Sequence, residues 1–105
     1  MTDSILTDSI PPRAGDLQFP PGRVVATPGA LLALTDVGVL PHELLARHLR
    51  GDWGDAGGHD RRENGRALAQ GRRLFSSYAV GEDVRVWIIT EPDRTATTLL
   101  LPDEY

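Results

Sequence analysis

Three consecutive runs near the end of the chain are rich in β-branched, aromatic and aliphatic residues: Leu74 to Tyr78, Val84 to Thr90 and Thr95 to Leu101. Only short turn-like breaks separate them. This pattern predicts a meander of antiparallel strands. Strand side chains alternate between faces, so loop length sets which residues share one. A three-residue loop, Gly81-Glu82-Asp83, sets Val80 opposite Val84. A four-residue loop, Glu91 to Arg94, sets Thr90 opposite Thr95. One face then carries Leu74, Ser76, Tyr78, Val86, Ile88, Thr90, Thr97 and Leu99 and is the expected core. The other carries Phe75, Ser77, Arg85, Trp87, Ile89, Thr98 and Leu100. On it, Arg85 is expected to lie between Ser77 and Thr98, beside Trp87. The run Leu99-Leu100-Leu101 cannot point wholly outward, so its strand is expected to be central or well covered rather than a free edge, with Pro102 ending the ladder.

Upstream the period changes. Arg23 to Thr27 is a short β-prone run that can pair at either edge of the sheet. Thr27 is placed to cap a helix with Pro28 at its first position and Gly38 at its close. A second helix opens at Pro41, with Leu44, Leu45, His48 and Leu49 at helical spacing and Gly51 as its expected cap. The loop Asp52 to His59 follows. A third helix is expected from Asp60, as N-cap, to Gln70, ending at Gly71. Glu63 stands where a capping-box partner belongs, and Gly65 weakens the interior. Residues 1–22 carry a near-duplication, Thr2-Asp3-Ser4-Ile5 and Thr7-Asp8-Ser9-Ile10, then Pro11, Pro12, Pro20 and Pro21. They are expected to form an irregular or disordered tail. The resulting expectation is a single α+β domain over residues 23–105, with N-terminal helices packed on a three- to four-stranded, mostly antiparallel C-terminal sheet.

Composition narrows the chemistry. There is no cysteine, so disulfides, thiolate catalysis and Cys-type zinc sites are excluded. All 11 basic residues are arginine, which also excludes a lysine nucleophile. No apolar run approaches the ~18 residues of a membrane span, and no secretory signal pattern is present. A cytoplasmic protein is expected. The net charge is −4. Seven arginines between Arg47 and Arg73 outnumber the four acidic residues there, and the stretch after Gly81 is acidic. The basic middle could meet phosphate, although duplex-DNA binders are normally basic overall. Glycine-rich phosphate loops and HExxH are absent, His42 and His48 lie on different helix faces, and no metal or cofactor is expected.

The remaining candidates are side chains rather than motifs. His48 ends a helix between Arg47 and Arg50, and Trp53 follows in a glycine-flanked turn. A half-buried helix histidine is the structural alternative for His48, core closure for Trp53, and helix-surface polarity for Asn64. Arg85 amid serine and threonine offers a planar fork of donors to an anion, with an edge or cross-strand salt bridge as the alternative.

The ordered part, Gly22 to Tyr105, resembles a family of small uncharacterised proteins carried on plasmids and integrative elements of proteobacteria. The shared phrases are Arg23-Val24-Val25-Ala26-Thr27-Pro28-Gly29-Ala30, Arg47-His48 with Gly51-Asp52-Trp53-Gly54, Trp87-Ile88-Ile89-Thr90-Glu91 with Asp93-Arg94, and Leu100 to Tyr105. Such proteins are labelled plasmid-related, or as a type I restriction subunit. A chain of 105 residues without a nucleotide loop cannot supply the cofactor domain that the second label demands. More distantly, the layout is similar to the barnase–EndoU–colicin–RelE-like nucleases. That resemblance implies metal-independent RNA cleavage, with His48 as general base or acid, Arg85 on the phosphate, and Thr98 and Ser77 donating hydrogen bonds to it. Trp53 or Trp87 would stack a base, with Asn64 and Arg94 completing the substrate contacts. The competing expectation is a non-catalytic module that binds a host-defence or plasmid-maintenance protein. RNA or a protein is thus the expected partner, and the residues are silent on oligomeric state.

Overall fold

A computed structural model describes residues 17–105. The expectation of a tail over residues 1–16 lies outside the described residues. The elements run β1 (Arg23–Ala26), α1 (Pro28–Val37), α2 (Pro41–Leu49), α3 (Gly58–Gln70), β2 (Leu74–Gly81), β3 (Val84–Thr90) and β4 (Ala96–Leu100), then a 3-10 turn at Pro102–Glu104. This is the expected α+β arrangement, three helices followed by a sheet that β1 completes. The strand order is β1-β4-β3-β2. β1 lies parallel to β4, and the other two pairings are antiparallel. The triple-leucine strand is therefore central, as expected.

The caps explain the helix limits. The Thr27 side chain accepts the Ala30 N–H at 3.1 Å. Pro28 costs no hydrogen bond at the first turn. Gly38 closes α1 with φ 73°. α2 ends at Arg50, one residue before the expected Gly51. α3 begins at Gly58, so Asp60 sits inside the first turn, where a carboxylate faces the positive end of the helix.

The β2–β3 register is the expected one up to Ala79, with Leu74 opposite Thr90 and Ser77 opposite Trp87. A bulge then carries Gly81 opposite Val84. The β3–β4 register differs: Thr90 stands opposite Thr97, not Thr95. Asp93 widens the loop by accepting the Thr95 N–H at 3.1 Å and its hydroxyl at 2.6 Å, and Arg94 takes φ 62°. The slide is two residues, so every side chain keeps its expected face.

On the helix-covered face, Leu74, Tyr78, Val86, Ile88 and Leu99 pack with Leu34, Leu44, Leu45 and Leu49. Residues 17–22 carry no helix or strand, yet they are not loosely packed. Phe19 is buried in this core, and the Gln18 N–H donates to the Leu49 carbonyl at 2.8 Å. Sequence pattern underrated this stretch because one aromatic among prolines carries no period.

Candidate functional site

His48 projects from the apolar stripe of α2 into the core and is fully buried. Its Nδ1 lies 2.5 Å from the Ser76 hydroxyl, and its Nε2 lies 2.9 Å from Thr90 Oγ1. Thr90 Oγ1 is 2.8 Å from Thr97 Oγ1, which donates to the Pro21 carbonyl at 2.7 Å. That last acceptor assigns every proton. Thr97 spends its hydrogen on Pro21, so Thr90 donates to Thr97. His48 Nε2–H then donates to Thr90, and Ser76 donates to Nδ1. The imidazole is neutral, with its proton on Nε2. Burial pushes its pKa down to about 3, with a smaller contribution from the nearby Arg94 cation. Phe19 and Trp53 present ring contacts to it at 5.3 and 5.6 Å between centroids. Trp53 is itself a core residue.

Asn64 has a different task. The amide groups of Phe75, Ser77 and Ala79 point away from β3, along the outer edge of the sheet. Asn64 answers the first like a strand: its Nδ2 donates to Phe75 O at 2.7 Å and its Oδ1 accepts Phe75 N–H at 3.0 Å. The backbone of the α2–α3 loop answers the second. The Trp53 carbonyl accepts the Ser77 N–H at 3.2 Å, and the Asp55 N–H donates to Ser77 O at 2.6 Å. The Asp55 carboxylate accepts the Ala79 N–H at 3.2 Å and holds Arg85 at 3.1 Å. Gly54 makes this close approach feasible: its φ is 68°, and a Cβ there would meet the Ser77 carbonyl and the Tyr78 ring. A sheet edge that would otherwise invite another chain is closed from within.

Arg94 serves the loop. Its guanidinium donates to the carbonyls of Arg72, Glu91, Pro92 and Ala67 at 2.5 to 3.2 Å. It lies over the Phe19 ring, 5.6 Å from the centroid. A cation at the carbonyl end of α3 suits the helix dipole.

The structure therefore separates the expected site residues. His48 stands on the helix-covered face. Arg85, Ser77, Thr98 and Trp87 stand on the other. Within that second face the shifted register sets Thr98 opposite Ile89 and Leu100 opposite Trp87. Arg85 pairs with Ala79, so Thr98 sits farther from it than the expected loop implied. Trp87 stacks edge-on with Phe75 and Tyr105 at 5.1 and 5.8 Å. Arg85 makes an edge salt bridge with Asp55, Trp53 closes the core, and His48 is fully buried rather than the half-buried helix residue of the alternative. Asn64 is not a helix-surface residue at all. Sequence reasoning missed Ser76, Thr90 and Thr97 as partners of His48. The signal was present: three hydroxyl residues fall on the apolar face of the meander, opposite a helix stripe that carries a histidine.

The open concave feature lies elsewhere, where β4 stops. It is a cleft of about 710 Å³, lined by Ala33 of α1, by Asp83, Val84 and Arg85 at the start of β3, and by Leu101, Pro102 and Asp103. Its lining contains no histidine, serine, threonine or tyrosine. A smaller polar hollow of about 300 Å³ lies between α3 and the start of β2, where Glu63 contacts Arg66 at 2.8 Å and Arg72 at 3.9 Å. No His, Asp and Glu cluster with metal-binding geometry occurs among the described residues. Among them also, no single helix is long and apolar enough to cross a membrane. No protein-family model matches this chain, and no curated protein or solved structure matches it.

Proposed function

We propose that this chain is a non-catalytic protein-interaction module of a plasmid or integrative element, acting in the cytoplasm on a host-defence or maintenance protein. The observation that carries this reading is the cleft at the end of β4. It is large enough to receive a segment of another molecule, and its lining is mostly aliphatic, with two aspartates and one arginine and no histidine or hydroxyl side chain. The groups suited to phosphate chemistry are already engaged: both nitrogens of His48 are bonded in the core, and Arg85 is paired with Asp55. Leu32 and Leu40 stand 67% and 53% exposed near α1, giving further apolar surface for a partner. The plasmid setting rests on the resemblance of the Arg23–Ala30 and Leu100–Tyr105 phrases.

The test has two arms. Purified protein, His48→Ala and Arg85→Ala are incubated with labelled RNA in EDTA. All three are expected to match buffer alone, and cleavage that both substitutions abolish would overturn the proposal. In the second arm, tagged protein is recovered from cells carrying its encoding element. A stoichiometric protein partner is expected, displaced by excess untagged protein.

A further inference from the structure

Asn64, the sole asparagine of the chain, is followed by Gly65, and the fold gives that glycine no task of its own. Gly65 stands in the middle of α3 without a positive φ, and a Cβ there would meet nothing within 4 Å among the described residues. Alanine would fit the space and favour the helix, so the glycine weakens α3 with no gain in packing. What glycine does change is the chemistry of its neighbour. With no side chain beside it, its backbone nitrogen has the least hindered approach to the Asn64 side-chain carbonyl carbon.

In the folded chain that approach is blocked twice. Helical geometry turns the Gly65 N–H along the axis toward the Arg61 carbonyl. The Asn64 amide is drawn away to β2, where Nδ2 donates to Phe75 O at 2.7 Å and Oδ1 accepts Phe75 N–H at 3.0 Å. This protection lasts as long as α3 stays docked, and its docking is thin. Of its described side chains only Asn64 and Ala67 are buried. No side chain caps its start at Gly57. Segments with few buried apolar groups open locally at less than the cost of global unfolding.

We propose that Asn64-Gly65 is a spontaneous deamidation site, shielded by the docking of α3 and exposed when that helix opens. On opening, the Gly65 nitrogen loses its proton and attacks Asn64 Cγ, the Cγ–Nδ2 bond breaks, and the amide leaves as ammonia. Water then opens the cyclic imide at either carbonyl, leaving an aspartyl or an isoaspartyl residue at position 64. Neither product restores the edge. A carboxylate accepts the Phe75 N–H but has no hydrogen for Phe75 O, and the isoaspartyl form routes the main chain through Cγ and breaks the helical pattern. The outer edge of β2 is thereby opened at Phe75 in one direction only, and the open edge pairs with a second copy of the chain. This inference goes beyond the interaction-module reading and does not rest on it.

The test holds purified protein in mildly alkaline buffer at growth temperature, with the same protein in urea as the unfolded reference. Peptide maps follow conversion at position 64, and sedimentation follows association. Conversion is expected in the folded protein, slower than in urea by roughly tenfold or more, with larger species accumulating alongside it. Gly65→Ala should fold, convert roughly tenfold more slowly than the wild type in both conditions, and keep its starting sedimentation profile. Equal rates in folded and unfolded wild type would overturn the shielding by α3. Conversion in urea with none in the folded protein would overturn the local opening. Conversion without association, or association of Gly65→Ala at the wild-type rate, would overturn the opened edge as its consequence.

Discussion

His48 shows how a single residue type can carry opposite meanings. A histidine at a helix end beside two arginines suits proton transfer, because its ordinary pKa is near 6.5. Here the same ring is a buried crosslink between α2, β2 and β3. Its folded pKa of about 3 lies below its unfolded value. Between those values the unfolded chain binds a proton that the folded chain refuses, so stability falls as pH falls from 6.5 toward 3. The slope from this one group approaches about 1.4 kcal/mol per pH unit. Urea midpoints of the wild type between pH 7 and 5 should decline accordingly, and those of His48→Phe should be nearly flat over the same interval. An equal slope in both proteins would show that other groups dominate the acid limb. His48→Ala at pH 7 should cost on the order of 3 kcal/mol, because it removes a packed ring and leaves Ser76 and Thr90 short of partners.

At the scale of elements, the β2 edge and the centre of the sheet are held by different physics. β4 is central and its leucines are packed, with Leu100 only 7% exposed. Leu100→Asp buries an uncompensated carboxylate and should leave the chain unfolded in far-UV circular dichroism at 25 °C. A folded spectrum would contradict the central position of this strand. The outer edge of β2 depends on one side chain at its first open position. Asn64→Ala strands the Phe75 N–H and C=O together and should lower stability by roughly 2 kcal/mol. Light scattering on storage should rise with it, since the uncovered edge can pair with other chains. Asn64→Asp cannot rescue it, because a carboxylate would face the Phe75 carbonyl.

At the scale of the whole molecule, Arg94 connects parts that are distant in sequence. It binds carbonyls of α3, of the α3–β2 connection and of its own loop, and it covers Phe19 from the N-terminal stretch. Four acceptors around one planar group suit a guanidinium and not an ammonium. Arg94→Ala should therefore lower stability by roughly 2 kcal/mol, with Arg94→Lys recovering less than half of it in urea unfolding. Full recovery by lysine would mean that charge alone, acting on the α3 terminus, accounts for the effect.

Much of the architecture was legible in the chain because it depends on local physics. Thr27, Pro28 and Gly38 bound α1 through caps and fixed φ angles, and period-2 alternation sorted the strand side chains onto their two faces. That β4 is no free edge followed from three consecutive leucines that no single face could hide, and the strand order then placed it inside the sheet. The tertiary structure alone decided the rest. The β3–β4 register slid by two residues because Asp93 and Arg94 remade a loop whose length the pattern left open. Phe19 joined the core without any periodic signal. The roles of His48, Asn64, Arg85 and Arg94 depended on partners 11 to 42 positions away. Hydrogen bonds of that span arise only when packed elements bring donor and acceptor together. The same polar side chains could have faced solvent and a substrate, and instead they satisfy the interior and the edge of the sheet.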